Sequence, residues 1–438
     1  MKIVHFTNNL TDGAGRAAYR IHRALINEGL NSIMLVANKD SQDNSVVQIS
    51  NAYKNIDKPI KQKKDLVKRS FDFLLFIIKQ FHWKMMLIRW VPKTLYNFNV
   101  SYVSYNKIKQ YLEDVDIISL YSIQSFLSSK IIKKIYNYTK APIVWTPMDI
   151  EPMSGGCHFN NGCERFNDSC GDCPQLVKSK RKDISRLILN KKRKDYNNLP
   201  ITIVACSSWV EAWVRKSSIF KNNRIEKIFL GVDNTIFHSI DKENARKTLG
   251  LPLNKKLILF MCFNLDDKRK GGDYLLKALD NIYENINKKK TNIESNEINL
   301  VTIGRLNDSS FNNMPFDNIH LGLINDDRIL AMVYNAVDVV AVPSIDDPGP
   351  MIINEAYMCE TPIVAFDIGV ASDILGSSQG GYIIKDYDIN KFSSALYECL
   401  DKSNSVDQGQ SSNNLRKQLT IKYQSKKYIS LFKEILIK

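Results

Sequence analysis

Hydrophobic residues along this chain follow two alternating habits. Short unbroken apolar runs such as "KIVHFT" (2–7) are followed by longer stretches such as "RAAYRIHRALINEG" (16–29), where apolar residues return every three or four positions. The first habit suits strands buried on both faces of a parallel sheet, and the second suits helices with one buried face. The opening order is strand, the loop "NNLTDGAG", helix, and then the strand "SIMLVANK". That order predicts a doubly wound α/β domain. "DIISLYS", "PIVWTPMD" and "ITIVACSS" predict further buried strands. Near residue 195 the pattern restarts with "KLILFMCF", "GGDYLLKALDNIYENI" and "INLVTIGR". "NIHLGL", "DRILAMVYNAV", "DVVAVPS", "MIINEAYMC" and "TPIVAFD" continue the alternation. We therefore expect two Rossmann-like domains, 1–194 and 195–414. A last helix over 415–438 follows the polar loop "SNSVDQGQSSNN", which leaves open its return to the first domain.

Length agrees, since 438 residues exceed one ordinary core. Composition, 44% apolar and 24% charged, is that of a folded globular chain. The formal net charge of +15 implies an acidic partner, with nucleic acid, anionic lipid and phosphorylated substrates all eligible. The start "MKIVHFTNNL" has no signal-peptide pattern, and no run of about 18 uncharged apolar residues predicts a membrane span. A reducing cytoplasmic setting is expected. The stretch 61–91, "KQKKDLVKRSFDFLLFIIKQFHWKMMLIRWV", puts Phe71, Leu74, Leu75, Ile78, Phe81, Met85 and Ile88 on one helical stripe behind a basic lead. It reads either as a helix drawn to an anionic membrane surface or as one packing on its own domain.

Two stretches carry candidate chemistry. "PMSGGCHFNNGCERFNDSCGDCP" (152–174) spaces Cys157, Cys163, Cys170 and Cys173 as C-x5-C-x6-C-x2-C. Four thiolates at such spacing predict a closed structural zinc site. Disulfides, an iron–sulfur cluster and free thiols are the alternatives. In "PSIDDPGPMIINEAYMCETPIVAFDIG", Asp347 precedes a predicted helix and Glu355 is expected about two turns inside it. The helix start near Gly349, Met351 and Ile352 offers backbone N–H groups and a positive dipole end, a seat for phosphate. Carboxylates there accept hydroxyls of a sugar or a ribose. "DDKRKGG" adds Arg269 and Lys270 in the loop after "KLILFMCF". Gly13 and Gly15 permit close backbone approach to a ligand, or simply a tight turn into the helix.

In this context the "PSIDDPGPMIINEAYMCE" stretch resembles the E-x7-E region of retaining glycosyltransferases of family 4. Asp347 stands where the family has its first Glu, and Glu355 matches the second. "GVDNTIF", "NAVDVVAVPS" and "DGAGRAAYRIHRAL" resemble further family segments in the same order along nearly the whole chain. The resemblance implies a GT-B fold with a nucleotide-sugar-binding C-terminal domain and an acceptor-side N-terminal domain. It aligns Lys270 with the phosphate-binding Lys. Leu265 occupies the place of the usual Arg, with Arg269 as the candidate substitute. The cysteine stretch, about 152–176, resembles the "TGGCHY" insertion of exopolysaccharide and colanic-acid-type transferases. Asp149 aligns with the Asp of their "HD" pair, and Met148 replaces its His. The resemblance further implies retaining transfer without a catalytic divalent metal. The acceptor is expected to be a saccharide on a polyprenyl diphosphate at the inner membrane face. Nucleic acid is not expected as a partner.

Overall fold

The unalternating apolar runs become strands of two separate parallel sheets in this computed structural model, which describes residues 1–49, 91–288, 293–306, 311, 314–376, 380–401 and 410–437. The first unit comprises Met1–Ala205, Val210–Lys227 and Tyr428–Lys438. Its strands are β1 (Lys2–Thr7), β2 (Asn31–Val36), β3 (Val46–Gln48), β4 (Ile117–Leu120), β5 (Ile143–Trp145), β6 (Ile201–Ala205) and β7 (Arg224–Lys227). They pair in parallel in the order β3-β2-β1-β4-β5-β6-β7. The ladder continues through β6 and β7, so this unit runs past residue 194.

The second unit comprises Cys206–Trp209 and Ile228–Lys427. It contains β8 (Lys256–Asn264), β9 (Ile298–Arg305), β10 (Asp317–His320), β11 (Val339–Val342), β12 (Ile363–Phe366) and β13 (Gly381–Ile384). Their order is β10-β9-β8-β11-β12-β13, again wholly parallel. Both sheets reverse strand order beside their first strand, the topology that leaves a ligand crevice at the carboxyl ends. Helices cover both faces of the second sheet, as two buried clusters show, one around Val340 and Tyr357 and the other around Phe260 and Phe392.

The strands that the apolar pattern does not reveal are β3, β7 and β13. They lie at sheet edges and are only partly buried, so they have no apolar run to display. The segment expected to form a basic amphipathic helix, 61–91, lies outside the described residues apart from Val91. Among the described residues, no helix is long and apolar enough to cross a membrane.

The core of the first unit holds two histidines. His22 Nδ1 lies 2.7 Å from Ser32 Oγ and its Nε2 lies 2.9 Å from Ser45 Oγ. The His5 ring stands edge-on, 5.3 Å away. Burial lowers the pKa of His22 to about 4, and burial with neighbouring His22 lowers that of His5 too. Each is thus held neutral in the fold but binds a proton once unfolded, below its ordinary value near 6.5. Stability from His22 is complete above that value. It should fall by about 3 kcal/mol as pH drops from about 6.5 to about 4. Melting temperature measured across that window should decline, and His22→Gln should flatten the decline.

Candidate active site

The second unit gathers most of the expected donor-side residues around the carboxyl ends of β8 and β11. β8 ends in a short 3-10 turn, Lys268–Lys270, capped by Asp267, whose Oδ1 accepts the Arg269 N–H at 3.1 Å. The Arg269 guanidinium also reaches Asp267 Oδ2 at 2.5 Å. The Ile345 N–H donates to the Arg269 carbonyl at 2.8 Å, tying this turn to the segment after β11. Gly271 follows at φ +76°, and a Cβ there would lie 1.8 Å from the Pro343 carbonyl oxygen. Only glycine permits that approach, which is what brings Lys270 over the β11 loop.

Lys270 Nζ there donates to Asp347 Oδ2. Asp347 Oδ1 accepts the Gly349 N–H at 3.2 Å, so one N–H of the expected phosphate seat is already engaged. The helix Met351–Met358 begins just beyond, with no side-chain cap. Its uncapped first turn, including Met351 and Ile352, points its dipole's positive end toward this loop. Gly349 packs against Cys206, where a Cβ would meet the sulfur at 3.2 Å, and Ser207 Oγ donates to the Pro348 carbonyl at 2.7 Å.

Glu355 lies one turn into this helix and not two, because the helix starts at Met351 after the Pro350 break. Its side chain is 5% exposed, and Tyr334 donates its hydroxyl to Oε2 at 2.9 Å. Tyr334 is not among the residues expected from sequence. The signal for it is a tyrosine in the apolar helix Asp327–Ala336, since a buried hydroxyl needs a partner.

In the first unit, Asp149 follows β5 and is fixed at both oxygens. Oδ1 accepts the Glu151 N–H at 2.8 Å, and Oδ2 lies 2.7 Å from His158 Nδ1. Met148 thus removes a histidine from the sequence pair, but His158, nine residues on from Asp149, pairs with it in space. Burial lowers the His158 pKa, but Asp149's charge and hydrogen bond, together with Glu151, outweigh it and leave the pKa raised. The turn Glu151–Met153 is anchored by buried Lys192. Its ammonium donates to Glu151 Oε1 and to the Glu151 carbonyl, both at 2.5 Å, and to the Ser154 carbonyl at 3.2 Å. Asn97 adds a 2.8 Å bond to Glu151 Oε1. Neither Lys192 nor Glu151 stands out in sequence, where each is one charge among many.

Gly13 and Gly15 open the helix Gly13–Asn27, which Asp12 caps through the Gly15 N–H at 2.7 Å. A Cβ at Gly15 would meet the Asn9 carbonyl oxygen at 2.2 Å, so the tight turn accounts for that glycine, while Gly13 borders open space.

The expected zinc site is not supported. Among the described residues, no three His, Cys, Asp or Glu side chains are grouped so as to hold a metal ion. Cys157, Cys163, Cys170 and Cys173 are free thiols lining one cavity, which Tyr96, Phe166 and Ser185 also line. Separate restraints fix their backbones. Cys157 bridges Tyr96, Cys170 sits at φ +50°, and the Cys173 N–H donates to Asp183 Oδ2 at 2.8 Å. Burial pushes the Cys157 thiol up and that of Cys170 to about 12.

Residues 241–418 match the family model of glycosyl transferases, group 1. The matched segment holds Lys270, Asp347 and Glu355. The D-inositol 3-phosphate glycosyltransferase of Corynebacterium aurimucosum is 25% identical over 169 residues, 36% of this chain and 38% of that protein. The chain thus spans about two fifths of the curated relatives it matches. Anabaena Alr3699/HepE in complex with UDP and glucose superposes with TM-score 0.64 at 14% identity over 99% of both chains. WaaG, a glycosyltransferase involved in lipopolysaccharide biosynthesis, gives 0.62 at 13% identity, covering 98% of this chain and 99% of its own. The fold is that of the GT-B glycosyltransferases.

Proposed function

We propose that the protein is a retaining glycosyltransferase that moves a sugar from a nucleoside-diphosphate sugar to a lipid-linked saccharide in the assembly of a surface polysaccharide. The observation that carries the donor half is the Lys270–Asp347 contact at the start of the helix Met351–Met358, with Glu355 one turn further on. The entering diphosphate competes with Asp347 for the Lys270 ammonium. Asp347 is then released to accept hydroxyls of the transferred sugar. Glu355 accepts the ribose hydroxyls, and Arg269 and the N–H groups of Met351 and Ile352 spread the charge of the departing diphosphate.

The acceptor oxygen bonds to the anomeric carbon as the carbon–phosphate oxygen bond breaks. The departing phosphate oxygen takes the acceptor's proton on the same face, so no side-chain base is required and configuration is kept. The protein's share is positioning and charge stabilisation. In the first unit, the Asp149–His158 pair and the open space at Gly13 are the acceptor-side elements. The acceptor class is supported by the likeness of the cysteine stretch to polysaccharide-assembly enzymes and by the involvement of WaaG in lipopolysaccharide biosynthesis. The D-inositol 3-phosphate enzymes favour a phosphorylated polyol instead, so both belong in the test.

Melting in the presence of UDP, GDP or ADP should rise for one of them, because that ligand binds only the folded state. The matching sugar conjugate is then offered with a short polyprenyl-diphosphate saccharide and, separately, with inositol 3-phosphate. NMR of the product should show the donor's anomeric configuration. An inverted product overturns retention, and transfer to inositol phosphate alone overturns the lipid-linked acceptor.

A further inference from the structure

Tyr334 is a residue that no sequence motif marks and that the donor site leaves unexplained. It sits in the last turn of the helix Asp327–Ala336 and is fully buried. Its hydroxyl lies 2.9 Å from Glu355 Oε2 and 3.3 Å from Met261 Sδ on β8. Its ring packs against Phe237, with centroids 6.2 Å apart. The ring is thus held by Phe237, and the hydroxyl lies between Met261 on β8 and one Glu355 carboxylate oxygen. A buried carboxylate without such a donor would be left with an unsatisfied oxygen and would be free to turn.

We propose that Tyr334 is a positioning residue that holds the Glu355 carboxylate turned so that it accepts hydroxyls of the donor's ribose. The proposal rests on the donor site assigned above. Tyrosine suits the task, because it gives a hydrogen bond to the carboxylate without adding a positive charge. The carboxylate keeps its full strength as an acceptor toward a neutral hydroxyl pair. A lysine or arginine in the same place would satisfy the carboxylate more completely and leave less for the ligand.

The test compares binding of UDP and of 2′-deoxy-UDP to the full chain by calorimetry. Wild type should favour UDP by about tenfold or more, the scale of one charge-assisted hydrogen bond. Tyr334→Phe, which keeps the ring and its contact with Phe237, should bind UDP about tenfold more weakly. Its affinity for 2′-deoxy-UDP should be nearly unchanged, so the preference collapses. Glu355→Gln should lose the same preference. A purely structural role would weaken both ligands equally. Tyr334→Phe that keeps the wild-type preference overturns the proposal while leaving the Glu355 assignment in place. Wild type that binds both nucleotides alike overturns the ribose role of Glu355 itself. Melting of each variant, and binding of inorganic pyrophosphate at Lys270, report whether the fold and the phosphate half stay intact.

Discussion

Lys270→Ala should lower turnover by about a hundredfold or more, with melting temperature close to wild type. The fold places the ammonium beside Asp347 at the helix start, where in the proposed reaction the leaving diphosphate gains charge as its bond to the sugar breaks. Removal relieves one contact in the resting protein, and that contact is partly exposed, so little stability is lost. The loss should appear in kcat as well as in donor affinity, because charge at the phosphate is greater in the transition state than in the bound donor. Arg269→Ala should act more weakly, since Asp267 already engages its guanidinium. Unchanged turnover in Lys270→Ala, measured with saturating donor, would remove Lys270 from the site. If Arg269→Ala proved the dead variant, the two neighbours would exchange roles.

The largest effect on stability is expected in the first unit. Glu151→Ala should destabilise it by about 3–5 kcal/mol, because Lys192, whose side chain is 2% exposed, would lose its carboxylate partner. Its two carbonyl partners would remain, but neither can neutralise it. The double variant Glu151→Leu with Lys192→Met should recover most of that loss, since burying a matched apolar pair carries no desolvation cost of this kind. Denaturant unfolding of the single and double variants decides the matter. A single variant within about 1 kcal/mol of wild type, against the roughly 3–5 expected, would mean that water reaches the ammonium.

Position in the sheet decides which strands are legible in the sequence. β1, β4, β8 and β11 announce themselves because central parallel strands are apolar on both faces. β7, "RIEK", looks like a polar loop because an edge strand has one side in water. Asp347 and Lys270 are 77 positions apart, and only the family resemblance, not their spacing, places them together. His158, the partner of Asp149, lies inside a stretch whose cysteines point to metal, and nothing in its spacing marks it as a partner. The thiols themselves show where spacing loses its force. C-x2-C permits a shared metal but does not compel one, and separate backbone restraints account for where these cysteines sit. Tyr334 has no motif at all, because its role depends on a helix crossing that only the fold creates.

The closing segment of the first unit has a consequence for how the protein is made. Tyr428 is fully buried, its hydroxyl lies 2.7 Å from Thr146 Oγ1, and Phe432 is buried beside it. These residues belong to the unit whose last strand ends at Lys227. On a ribosome that adds about 5–20 residues per second, the first unit waits on the order of 10–40 s for the helix that carries Tyr428. The second unit is finished first although it begins later. Nascent chains stalled with Lys427 just outside the ribosome should therefore resist protease across the second unit while the first stays open to cleavage, and release of the segment from Tyr428 onward should be the event that seals it.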